Sequence, residues 1–128
     1  MNVRALTIVV AAALYATRAD AEPPPCNGPG LTMPAAANSH LASGYPILSA
    51  VLQEEGSTIV RFVIGTDGKA SAPTVLQSSG SLRLDDASVE SVRSWLYSPA
   101  VAGGVPVACI QRAQVRWIIP DDTSKKAQ

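Results

Sequence analysis

The side chains able to carry chemistry are few. They are His40, Cys26 and Cys109, with Ser39 beside the imidazole and Asp67, Asp85 and Asp86 further along. His40 is the single histidine of the chain, and so the one candidate base near neutral pH. Nucleophilic catalysis needs a nucleophile, a base and an orienting acid held in one geometry. Ser39 neighbours His40 in sequence only, in a stretch with no periodicity to position either. The three aspartates fall where turns and helix starts use carboxylates. The sequence therefore reads as a non-enzyme without catalytic residues. One His and two Cys supply at most three soft ligands, so neither a metal site nor a cofactor is expected.

The chain has 128 residues, with 10 Lys or Arg and 10 Asp or Glu, and zero formal net charge. Binding to nucleic acid through phosphate contacts needs a basic excess, so that class is set aside. Apolar residues make up 47% and charged residues 16%, the balance of a folded chain. The length fits one domain.

Arg4 precedes the uncharged run Ala5–Ala16, and Ala19-Asp20-Ala21 follows. That is the order of a secretory signal peptide, with cleavage predicted after Ala21. The apolar run is far shorter than the roughly 20 residues of a spanning helix. No later stretch is long enough to span, so no stable membrane span is expected after cleavage. The predicted mature chain carries 8 basic and 9 acidic groups, a net charge of −1. Export also decides how the cysteines read. An even pair in an oxidising compartment predicts a Cys26–Cys109 disulfide. Closing so long a loop is worth about 4–5 kcal/mol in the chain-entropy model.

The elements that would position these residues divide the chain into four stretches. Residues 1–21 read as the signal peptide and 22–44 as a Pro/Gly-rich arm. Residues 45–119 read as the globular domain and 120–128 as a polar tail. Half of the ten prolines lie between Pro23 and Pro34, which predicts an extended arm poor in hydrogen bonds. Pro46 suits a first helical turn, and Ile47, Ala50 and Val51 recur at helical spacing, so a helix is predicted over 46–54. Alternation over residues 58–64 and the Asp67-Gly68 pair predict a hairpin into residues 69–78. Pro73 places the second strand at an edge or a bulge.

A second helix is predicted to begin at Asp85 and Asp86. Its inner face is Leu84, Ala87, Ser88, Ser91, Val92, Trp95 and Leu96, and Pro99 ends it. Ala100–Pro106 reads as a loop. Cys109–Ile119 reads as the last strand, with Ala113, Val115, Trp117 and Ile119 on one face and Arg112, Gln114, Arg116 and Ile118 on the other. The predicted class is α+β, in the order α-β-β-α-β. Two helices would pack on one face of a three-stranded antiparallel sheet, with Trp95, Trp117 and Phe62 meeting beneath it. The other face would carry Arg61, Arg112 and Arg116 among Ile59, Val63 and Ile118, and one edge would stay open.

Several local signatures occur in one order. They are Tyr45-Pro46, Glu55-Gly56, the strand into Asp67-Gly68-Lys69, Ser78-Ser79-Gly80, Leu84-Asp85, Val92 through Pro99, and Gly104-Val105-Pro106-Val107. Over about Tyr45–Ile119 this set resembles the TonB C-terminal domain family. The resemblance implies a binding module in which an extended segment of an outer-membrane transporter pairs with the last strand. The matching positions are Gln111, Arg112, Ala113, Gln114, Val115, Arg116 and Trp117. It implies a protein partner in the cell envelope and a periplasmic location. A homodimer stays open, as does an alternative role as a structural subunit of an envelope complex. The arm, the cysteine pair and the cleavable N-terminus lie outside the family pattern and point to a stand-alone exported domain.

Overall fold

The computed structural model describes residues 22–120. The predicted signal peptide, and the predicted tail beyond Pro120, lie outside them. Ten elements follow one another: β1 (Leu31–Thr32), β2 (Ala35–Ala36), α1 (Ile47–Val51), β3 (Gly56–Ile64), β4 (Ala70–Gln77), α2 (Leu82–Arg93), β5 (Tyr97–Ser98), β6 (Ala100–Ala102), β7 (Val105–Val107) and β8 (Cys109–Trp117). The main sheet is antiparallel in the order β4-β3-β8.

β3 is central because its period-two pattern gives one apolar row. Thr58, Val60, Phe62 and Ile64 are buried, and they are joined from β8 by Cys109, Val115 and Trp117. α2 closes this face with Leu84, Ser88, Ser91 and Val92, followed by Trp95 in the turn after it. Two serines, Ser88 and Ser91, lie on this buried stripe. Ser88 and Ser91 satisfy their hydroxyls by donating to carbonyls one turn back, at Leu84 and Ala87.

At the hairpin, Gly68 takes φ +83°, and its carbonyl accepts from Tyr97 N at 2.8 Å. Any side chain at Gly68 would collide with the Tyr97 carbonyl, so glycine is required there. β4 is one of the two edge strands, and its register with β3 shifts between Arg61 and Val63. Ala72 and Pro73 fall in that bulge, which answers the missing donor of the proline.

Several expectations are corrected. α1 does not lay an apolar face on the sheet, so the predicted two-helix layer reduces to α2. Ile47, Leu48 and Val51 are exposed, and Ser49 is the buried residue of the helix. The inner place is taken by Tyr45, which meets Trp117 edge-on at 5.3 Å and donates its hydroxyl proton to the Glu54 carbonyl. α2 begins three residues early, because Ser81 is its N-cap, accepting from Leu84 N. It also ends early, at Arg93, and Leu96 is exposed.

The chain beyond α2 is not a loop. Tyr97–Ser98, Ala100–Ala102 and Val105–Val107 are extended, with Gly103 and Gly104 at φ +56° and +82° closing the β6–β7 hairpin. β1 pairs with β6 and β2 with β5. The arm is therefore richer in hydrogen bonds than its prolines suggest, since Leu31-Thr32 and Ala35-Ala36 keep the donors that the prolines lack. Finally, Phe62 meets Trp95 at a centroid distance of 6.2 Å, but Trp117 lies elsewhere. Phe62 pairs with Gln111 and Gly56 with Trp117, so six residues of strand separate the two aromatics.

Candidate functional site

β8 has one neighbour, β3, and its far side is an edge. Along a strand, alternate residues turn their N–H and C=O to the same side. Ile110 shows which residues those are. Its N–H donates to the Pro24 carbonyl at 2.8 Å, and its carbonyl accepts from Cys26 N at 2.9 Å. These bonds form a single parallel bridge between Pro25 and Ile110. The arm then leaves the edge at once, because Gly28 N donates back to the Pro25 carbonyl and closes a turn. The next outward positions are Arg112, Gln114 and Arg116. Their backbone groups meet no other strand among the described residues. The Arg112 N–H reaches only the side-chain oxygen of Gln111, at a long 3.4 Å.

Of the positions singled out from sequence, then, Arg112, Gln114 and Arg116 present backbone to the edge. Gln111, Ala113, Val115 and Trp117 turn theirs to β3, and Val115 and Trp117 bury their side chains in the core. The Cys26–Cys109 disulfide is present, with both residues buried. It pins the arm one residue before the strand's first outward pair. Sequence reasoning found the cysteines. It did not find the backbone contribution of Pro24, which no side-chain pattern announces.

On the sheet face opposite α2, Arg61 and Arg112 are cross-strand partners. Like charges so placed repel. The arm relieves one of them, since the Glu22 carboxylate meets the Arg61 guanidinium at 3.0 Å. Arg112 and Arg116 have no ion-pair partner among the described residues. A groove of about 600 Å³ lies between arm and sheet here, lined by Glu22, Pro23, Pro25, Met33, Arg61 and Arg112 among others.

The residues of the catalytic alternative are dispersed. His40 stacks on Trp95 at 4.8 Å, and its Nε2 lies 2.9 Å from the Leu96 carbonyl. Asp67 accepts from Lys69 N in the hairpin turn. Asp85 is buried and accepts from Thr58, Ser78 and Ser79. Among the described residues no group of three or more metal-ligating side chains converges, and no helix is long and apolar enough to cross a membrane.

The family model of the Gram-negative bacterial TonB protein C-terminal matches residues 42–119. A Protein TonB of Vibrio cholerae is 29% identical over 75 residues, which cover 59% of this chain and 31% of that protein. The chain thus spans about a third of the length of that relative. The solution structure of the Pseudomonas aeruginosa TonB C-terminal domain is similar with a TM-score of 0.57 at 25% identity, over 74% of this chain and 92% of that one.

Proposed function

Because the chain belongs to the Gram-negative TonB C-terminal family, we propose that it is an exported binding module whose β8 edge pairs with an extended segment of an envelope partner, such as an outer-membrane transporter. The carrying observation is the row of outward backbone groups at Arg112, Gln114 and Arg116. A row of unpaired donors and acceptors is a template for a further strand, and a protein that keeps one open needs a partner or a cover for it. Here the arm supplies cover at Ile110 and stops there. The reading includes export, signal cleavage after Ala21 and a periplasmic location, which would keep the disulfide oxidised.

Gln114→Pro tests it. The substitution removes one outward N–H without touching the buried row. Wild-type protein coupled to a resin should retain outer-membrane transporters from a detergent-solubilised envelope, and the variant should lose them. If both proteins instead recover one stoichiometric assembly without transporters, the chain is a structural subunit and the edge reading fails.

A further inference from the structure

The side chains beside the open edge carry a second layer of information. Arg112, Gln114 and Arg116 all project on the face opposite α2, with cations at both ends and a neutral amide between. Beside them on β3 stand Arg61, Ile59 and Ser57, of which only Arg61 is charged, and Glu22 already neutralises it. A strand added to β8 would place every second side chain next to this row. Residues opposite Arg112 and Arg116 would be four apart. The order Arg-x-Gln-x-Arg also reads the same in both directions, so the spacing holds for a parallel or an antiparallel segment.

A second copy of this chain is the occupant that such an edge most readily finds. Antiparallel self-pairing that engages all three outward residues must centre on Gln114. That register sets Arg112 opposite the copy's Arg116 on both sides, four guanidinium groups. Glu55, which lines a cleft with Arg116, makes no ion pair with it among the described residues and accepts instead from the Ile119 N–H. Like charges directly opposite destabilise a strand pair. The arm adds a second restriction. With Pro24 and Cys26 on Ile110, no segment can run past Arg112 toward the start of β8, so pairing cannot slide into a register that escapes the arginines at that end. At the Arg112 end an incoming side chain enters the groove beside Pro23 and Pro25, where Glu22 is already engaged by Arg61.

We propose that the β8 edge selects an extended segment carrying carboxylates at positions i and i+4, seated on Arg112 and Arg116, and that the same two arginines exclude self-pairing. The proposal rests on the edge-pairing reading and adds the chemistry of the partner to it.

The test uses the oxidised chain and three short synthetic peptides with one Val/Thr background. Glu, Gln or Lys occupies the two positions four apart. Amide shifts of Arg112, Gln114 and Arg116 report binding. The Glu peptide should bind about tenfold tighter than the Gln peptide at low salt, the yield of two modest cross-strand ion pairs, and the Lys peptide weakest. The gap should close at high salt. Arg112→Gln/Arg116→Gln should abolish the difference between the Glu and Gln peptides, so that the two bind the variant equally. If Glu and Gln peptides bind equally, with shifts at all three amides, the acid selectivity is wrong and edge pairing stands. If no peptide moves those amides, edge pairing itself is wrong. Sedimentation of the wild type should show monomer, and concentration-dependent dimer with protected edge amides would overturn the exclusion of self.

Discussion

The indole N–H of Trp117 donates to the Ser88 hydroxyl at 2.8 Å, across the buried interface of β8 and α2. Ser88 in turn donates to the Leu84 carbonyl, so a strand, a side chain and a helical turn form one hydrogen-bonded chain. The serine is fully buried and Trp117 nearly so.

Ser88→Ala removes the acceptor and strands the indole N–H in the core. The expected cost is about 1–3 kcal/mol, the penalty of an unsatisfied buried donor. Trp117→Ala should cost about 3–5 kcal/mol through the cavity it leaves. Trp117→Phe combined with Ser88→Ala should cost less than the sum of the two single changes, because neither partner is left waiting for the other. Urea midpoints of the wild type, Ser88→Ala, Trp117→Phe and the double variant decide it. Additive costs would mean that the bond contributes nothing beyond packing.

Asp85 governs the acid limit. Burial alone would raise its pKa, but bonds from the Ser78 side chain, the Ser79 backbone and side chain, and the Thr58 hydroxyl outweigh burial and hold it below the ordinary value. A carboxyl depressed on folding stabilises the native state above its unfolded pKa, about 3.9. That contribution is lost as pH falls through the depressed native value. Stability should therefore drop below about pH 4 in the wild type and depend less on pH there in Asp85→Asn, which starts lower at neutral pH. Thermal melts from neutral pH into the acid range check both statements. Parallel curves for the two proteins would remove Asp85 from the account.

Ala72 sits in the β4 bulge at φ +50°, in the left-handed region that a Cβ disfavours. Ala72→Gly should leave stability unchanged or raise it by up to about 1 kcal/mol, since relief of the native conformation opposes the greater freedom of the unfolded chain. A lowered urea midpoint would contradict this.

The legible parts of the molecule were those where local pattern and tertiary demand agree. The alternation of β3 and β8, the Asp67-Gly68 turn, the proline at an edge bulge and the Leu84–Trp95 stripe all appear as their spacing suggests. The failures share a cause. Ile47, Ala50 and Val51 have helical spacing, but a helix of five residues has too little surface to decide its own orientation, and Tyr45 outside it takes the inner place. β1, β2, β5 and β6 are two or three residues long, below the length at which periodicity exists. Gly103-Gly104 was a hairpin signal that the surrounding short run concealed. At the edge, residues 111–117 were singled out only as a block. Which of them face outward depends on the register with β3, and the arm's bonds to Ile110 are made by backbone, which sequence pattern does not report.

The Cys26–Cys109 disulfide holds the arm to the edge. Cys26 and Cys109 are 83 residues apart in sequence, so the bond closes nearly all of the described chain into one loop. Reduction should cost about 2–5 kcal/mol of stability, the usual cost of losing a native bridge in a small domain. Its local effect should be confined. The Ile110 amide bonds to Pro24 and should lose hydrogen-exchange protection when the staple opens. Arg112, Gln114 and Arg116 have no strand partner on the outward side, so their amides should exchange fast in both redox states. β1 and β2 make their own pairs with β6 and β5 and should loosen only in part. Exchange measured residue by residue, with and without reductant, separates the outcomes. Protection of all three outward amides in the oxidised monomer would mean that the edge is already covered, and no strand from a partner could then add to it.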